Sequence, residues 1–340
     1  MKWMRAAGAG VALLLALVTA PVNAQSTLAT VKQRGHLICG AHIGAPGFSN
    51  PDSRGEYSGF DSDHCRALAA AIFGDAKAIR FRPLTSQQRL TALQTGEIDV
   101  LIRTTTWSMG RDTASGLNIT NTTFYDGQGF LVRKKLGLRS AKELNGATVC
   151  VTTGTTNELN LVDWARANGL KVEALVIEQN DETRKAYEAG RCDAYTTDAS
   201  QLAGIRTGLS APDEHVVLPD IISKEPLGPF VRHGDDQWFD IVRWTMFALV
   251  EAEELGVTSK NVDEMLTSKN PAVQRLLGGT GGFGKMIGLD DRWAYNAIKA
   301  MGNYGEIFER HLGKTSPLQL ERGLNDLWTK GGLMYAPPIR

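Results

Sequence analysis

The chain has 340 residues, with 37 basic and 37 acidic side chains and 42% hydrophobic content. So even a balance offers no field to hold nucleic acid or an anionic membrane surface, and neither partner is expected. The length suffices for two domains with cores of their own.

The chain opens with Lys2 and Arg5, an apolar run VALLLALV at 11–18, and Val22-Asn23-Ala24 before Gln25. Charge, apolar stretch and small residues in that order predict a secretory signal peptide over 1–24, cleaved after Ala24, and export to the periplasm. The run falls well short of the roughly 20 residues that span a bilayer, and no Cys follows the site to take a lipid. Loss of Lys2 and Arg5 leaves 35 basic against 37 acidic residues, a net charge of −2.

Four cysteines in an exported chain predict two disulfides, for which three connectivities exist. Cys39 with Cys65 and Cys150 with Cys192 are favoured, because each pair then lies in one predicted lobe and joins neighbouring elements. Each would stabilise its lobe by roughly 3 kcal/mol. A rival metal site of Cys39, His42, His64 and Cys65 is set aside, since an oxidising compartment favours the bridge and adjacent ligands 64 and 65 point apart on a helix. No metal or cofactor is expected.

From His36 short apolar strands alternate with amphipathic helices, the pattern of a mostly parallel sheet covered on both faces. HLICG is a strand, Ser62 to Phe73 a helix, AIRFRPL a strand, QQRLTALQTG a helix ended by Gly96, and IDVLI a strand. A second set starts at Ala147: ATVCVTTG, a helix over 157–168, KVEALVI, the helix DETRKAYEAG and the strand CDAYTTD. The two sets repeat each other in order, which predicts two lobes of like architecture. The extended segments GFLVRKK (129–135) and PFVRH (229–233) are expected to cross between them as a two-strand hinge. The first lobe would then comprise 25–131 and 230–340, completed by C-terminal helices of which Trp238 to Leu255 is the most regular, and the second 132–229.

Ligands of open α/β sheets bind beyond the carboxyl ends of strands, which is where Arg103-Thr104-Thr105-Thr106-Trp107-Ser108-Met109-Gly110-Arg111 falls. Hydroxyls and N–H groups followed by an Arg suit a carboxylate. In the second lobe Gly154-Thr155-Thr156-Asn157 lies between strand and helix, where free N–H groups can hold the same carboxylate. Asp198, at the end of CDAYTTD, would pair with an ammonium. Taken singly these are a polar turn, a helix cap and a loop acid; together they complement a zwitterion.

With IRTTTWSMGRDT, YDGQGFLVRKK, GTTNELNL, AGRCDAYTTD, RHGDDQWFDIVRW and GLNDLWTKGGLMYAPPIR, essentially the whole mature chain resembles the polar amino-acid-binding proteins of the type II periplasmic family, in particular the general L-amino-acid-binding subgroup. The resemblance implies a monomeric receptor that captures a free L-amino acid between two closing lobes and delivers it to the membrane permease of an ABC transporter. It implies that Arg111 clamps the α-carboxylate, assisted by Thr104, Thr106 and Thr156, that Asp198 receives the α-ammonium, and that Phe48 and Trp107 wall the side-chain pocket. Arg89 matches a position where binders of acidic amino acids carry Arg. The departures, Arg103 and Ser108-Met109-Gly110, bear on side-chain preference.

Enzyme signatures are scarce, with neither HExxH nor G-x-S-x-G. GTGGFGKM at 279–286 approaches a phosphate-binding loop but puts Met286 where magnesium needs a hydroxyl, and is expected to be a loop. The alternative is an exported dehydratase-like enzyme of the same fold acting on a small carboxylate. Its discriminating feature would be an acid poised by burial for proton transfer.

Overall fold

The computed structural model describes residues 26–340, so the expected signal peptide lies outside the described residues. Helix α1 (Thr27–Arg34) leads into β1 (Leu37–His42); a small hairpin, β2 (Asn50–Pro51) with β3 (Tyr57–Ser58), precedes α2 (Phe60–Phe73). Then follow β4 (Ile79–Leu84), α3 (Gln88–Gln94), β5 (Val100–Leu101), the short α4 (Met109–Thr113) and β6 (Leu117–Ile119). β1, β4, β5 and β6, joined by the later strand β14 (Phe230–Arg232), form a sheet in the order β4-β1-β5-β14-β6.

After β7 (Phe124–Asp126) and β8 (Gln128–Arg133) the βα rhythm restarts: β9 (Thr148–Thr152), α5 (Thr156–Ala167), β10 (Glu173–Ile177), α6 (Asn180–Glu188), β11 (Ala194–Asp198), α7 (Ala199–Thr207) and β12 (His215–Val217). They build the second sheet, β10-β9-β11-β8-β12. The chain returns through β13 (Glu225–Leu227) to β14 (Phe230–Arg232), the 19-residue α8 (Asp236–Glu254) and five further helices, α9 (Val262–Met265), α10 (Pro271–Leu276), α11 (Phe283–Met286), α12 (Trp293–Met301) and α13 (Tyr304–His311). In each sheet three strands pair in parallel and the next runs against them: β14 in one, β8 in the other. The two-lobed type II architecture is therefore present, with helices on both faces.

The hinge differs from the sequence reading. GFLVRKK is not a crossing segment but begins with β8, between β11 and β12, with Phe130, Leu131 and Val132 buried; PFVRH holds β14, between β5 and β6. The segments joining the sheets lie just outside them, where β7 pairs antiparallel with β13 through Glu225–Asp126, Pro226–Tyr125 and Leu227–Phe124. A continuous apolar run reads alike for a buried strand and a crossing strand, so periodicity could not separate them. Likewise, the 279–286 segment is a loop only to Gly282; Phe283–Met286 adds a helical turn.

The first lobe's core is the larger. α2, α8 and α12 pack together, and Phe48, Phe60, Phe124 and Phe308 form an aromatic cluster within this core, with Phe48 and Phe124 centroids 5.2 Å apart. The α8 N-terminus is capped by Asp235, which accepts from the Trp238 N–H at 3.0 Å; α13 opens on an Asn303–Glu306 capping box. Disulfides join Cys39 of β1 to Cys65 of α2, and Cys150 of β9 to Cys192 ahead of β11. The rival metal set thus has both its sulfurs in a disulfide.

Candidate functional site

β5 ends in the middle of its sheet, and the chain leaves it through Arg103-Thr104-Thr105-Thr106, all four buried. The loop is stitched to the hinge: the Trp107 N–H donates to the Pro226 carbonyl at 2.7 Å and the Gly228 N–H to the Thr105 carbonyl at 3.2 Å. Thr104 has φ of 36°, a left-handed conformation that costs a β-branched residue about 1–2 kcal/mol. It is held there by buried Asp61, which accepts the Thr104 N–H at 2.8 Å. Beyond the loop, Ser108 caps α4, and the half-buried Arg111 donates to the Thr106 carbonyl at 3.1 Å.

Two further arginines stand on this wall. Arg103 donates to the Leu84 carbonyl at 2.9 Å and to Ser86 Oγ at 3.3 Å. Arg89, far from being a surface residue of α3, is 3% exposed; among the described residues its Nη groups reach the Thr104 and Gly154 carbonyls, both at 3.5 Å, and its buried Nε finds no partner. Burial, followed by the charges of Arg111 and Arg103, lowers the Arg89 pKa well below its ordinary value. His42, at the end of β1, is held neutral by burial and the same two arginines, Arg103 and Arg89; its Nδ1 accepts the Gly44 N–H, leaving Nε2 as the donor.

The facing wall comes from the second lobe. Thr155 caps α5, its hydroxyl accepting the Glu158 N–H at 3.2 Å, so the N–H groups of Thr156 and Asn157 stand at the helix start without intrahelical partners. Asp198, at the end of β11, accepts from Asn157 Nδ2 at 3.0 Å and Gln201 Nε2 at 2.9 Å. Its pKa is raised well above the ordinary carboxylate range, first by burial and then by the neighbouring charges of Asp126 and Glu225. Asp126, on β7, is itself pushed up to about 6 by burial, against its bonds from Ser200 and Gly127.

Glu225, on hinge strand β13, was not anticipated. It is 1% exposed and receives four hydrogen bonds: from Thr106 Oγ1 at 2.5 Å, Thr156 Oγ1 at 2.7 Å, Asn160 Nδ2 at 2.7 Å and Ser223 Oγ at 2.6 Å. The only signal in the sequence is a lone acid opening a strand between Lys224 and Pro226, which reads as a solvated edge.

The lobes are closed on one another. Thr106 and Thr156 hydroxyls lie 3.3 Å apart, Gln87 Nε2 donates to Thr153 Oγ1 at 3.3 Å, and Gly204 of α7 packs against Pro46. A cavity of about 20 Å³ is left between the walls, lined among others by His42, Arg89, Arg103, Thr104, Thr106, Thr156 and Asp198; a hollow of about 350 Å³ opens beside it and shares Asn180 and Gln201. Arg89 and Arg103 face it from one lobe and Asp198 from the other, with Glu225 of the hinge behind Thr106 and Thr156.

Of the residues expected at the site, Arg89, Thr104, Thr106, Thr156 and Asp198 meet at this cavity, with Arg111 immediately behind Thr106. Phe48 and Trp107 do not. Phe48 is fully buried in the aromatic core, edge-on to Phe60 and Phe124, and Trp107 faces outward, 42% exposed, with Nε1 bonded to Asp112. Trp107 turns away because Thr106 beside it faces the hinge and successive side chains of an extended segment alternate.

The family model described as "Bacterial extracellular solute-binding proteins, family 3" matches residues 37–261. The chain is 54% identical to the general L-amino acid-binding periplasmic protein AapJ of Rhizobium johnstonii over 95% of each chain. It is 52% identical to the glutamate/glutamine/aspartate/asparagine-binding protein BztA of Rhodobacter capsulatus, over 97% of this chain and 98% of that one. A solved ABC transporter periplasmic binding protein of Brucella ovis with glutathione bound is 53% identical and superposes with a TM-score of 0.91, covering 93% of this chain and 99% of its own.

Proposed function

This chain belongs to family 3 of the bacterial extracellular solute-binding proteins, and on that premise we propose how it works. It is an extracytoplasmic amino-acid-binding protein serving an ABC transporter, and not an enzyme. Burial does raise the Asp198 pKa, the feature that a dehydratase would need. The same burial makes Asp198 a strong partner for an ammonium, which restores the charged form.

The ligand is a free L-amino acid or a molecule carrying the same α groups. Its α-carboxylate takes Arg111 and the N–H groups at the start of α5, with Thr104 beside them, while Thr106 and Thr156 meet its α groups from opposite sides. Its α-ammonium takes Asp198. A ligand side-chain carboxylate or amide supplies the missing partner of Arg89, a reading supported by the unsatisfied Nε of that buried guanidinium and by the ligands in the name of BztA. Charge-assisted hydrogen bonds contribute roughly 1.5 to 3 kcal/mol each, so a few suffice for micromolar affinity, about 8 kcal/mol.

Closure about the β7–β13 ribbon is the mechanism. The first lobe runs to this ribbon and resumes at β14; the second lies between. Ligand access requires the walls to part, and closing supplies the contacts from the far wall, so binding and closing are one equilibrium. The closed monomer is then read by the membrane permease, after export directed by residues 1–24. The observation that carries this reading is the meeting of Arg89 and Arg103 with Asp198 across one closed interlobe cavity. Arg111→Ala tests it: amino-acid binding in calorimetry is abolished while the fold survives, and undiminished affinity overturns the clamp.

A further inference from the structure

The hydrogen bonds around Glu225 fix a direction that the oxygen positions alone do not. A carboxylate only accepts, and a threonine hydroxyl has one proton. Thr106 Oγ1 and Thr156 Oγ1, at 2.5 and 2.7 Å from the same Oε2, must therefore both spend their protons on Glu225. Their 3.3 Å separation is then a contact between two acceptors. Both threonines line the cavity, whereas Glu225 stands behind them. What they present to a ligand is lone pairs.

We propose that Glu225 is a positioning residue for specificity: by taking both hydroxyl protons it makes Thr106 and Thr156 acceptors, so the ligand must bring a hydrogen-bond donor, its α-ammonium, to that point. This rests on the amino-acid reading above and deepens it. The carboxylate clamp is left to Arg111 and backbone N–H groups, and discrimination against a 2-oxo acid is shared between Asp198, which attracts the ammonium, and two oxygens that repel a carbonyl. Glu225 is suited to this because Asn160 and Ser223 hold its other oxygen, at 2.7 and 2.6 Å, so the carboxylate cannot rotate away. It also sits on the hinge strand and bonds one threonine from each lobe, so the paired acceptors exist only when the lobes are closed.

The test is Glu225→Gln, with L-glutamate and its deaminated analogue 2-oxoglutarate titrated against variant and wild type by calorimetry. The amide nitrogen donates to one threonine oxygen, releasing that hydroxyl to point its proton into the cleft. The expected result is that glutamate weakens while 2-oxoglutarate holds or tightens, so that the ratio of the two affinities falls at least about tenfold. Loss of both by the same factor, or of neither, overturns the proposal, since a structural role would not move the ratio. If the variant does not fold, Thr156→Val serves: it removes one acceptor and keeps the shape, and an unchanged ratio overturns the proposal equally. Wild type that binds no amino acid refutes the functional reading itself; wild type that discriminates beside a Gln variant that discriminates equally refutes Glu225 alone.

Discussion

Gly204→Ala separates closure from folding. Gly204 lies within α7 with an ordinary helical φ, so alanine suits the helix better and stabilises it by roughly 0.5–1 kcal/mol. In the closed state, however, the new Cβ would stand 2.8 Å from the Pro46 carbonyl oxygen and 3.3 Å from Pro46 Cβ, across the cleft. That oxygen belongs to backbone held by the Ala45–Ser49 bridge, which limits its retreat. Overpacking of this kind costs about 1–3 kcal/mol, borne by the closed state alone, which corresponds to an affinity loss of about 5- to 150-fold. Calorimetry reads the affinity and thermal melting of ligand-free protein reads the fold; the two should move in opposite directions or the melt should stay level. Full affinity in a well-folded variant would refute the closure geometry, and parallel loss of both would mean general damage.

Other outcomes follow from the buried charges. Asp198 has a raised pKa in the closed cleft, and a ligand ammonium against it favours the ionised form, so amino-acid binding should release protons and strengthen as pH rises from the acid side; titration in buffers of different ionisation enthalpy reads this, and zero release contradicts it. Asp61 is pushed up to about 7 by burial, so the native state holds its proton more tightly than the unfolded chain. Its stabilising contribution is full at acid pH, below the unfolded pKa, and lost as pH rises through 7. Asp61→Asn should therefore melt higher than wild type at pH 8, with the Thr104 N–H still accepted. Arg89→Met should cost glutamate and aspartate about ten- to hundredfold in affinity, with neutral amino acids affected less and stability undiminished, because the buried guanidinium makes no hydrogen bond to an acid among the described residues.

Much of this was legible in the sequence. The βα alternation, two repeated lobes and the loops at 103–111 and 154–157 follow from periodicity and turn residues, and those loops do face each other. The hinge was displaced by a few residues, because β8 and the crossing strand form one uninterrupted extended stretch. Phe48 was misjudged because an aromatic residue near a ligand loop looks the same whether it faces the cleft or the core. Glu225 was illegible for a different reason: its four donors come from Thr106, Thr156, Asn160 and Ser223, and only Ser223 lies near it in the chain. Long-range polar networks leave no periodic trace.

The most direct measurement is titration of ligand-stripped wild-type protein with a panel of L-amino acids and small aromatic carboxylates, with X-ray scattering at each endpoint. The account requires saturable one-to-one binding of amino acids accompanied by compaction, and no product from any carboxylate. Absence of amino-acid binding, or turnover of a carboxylate, would contradict it.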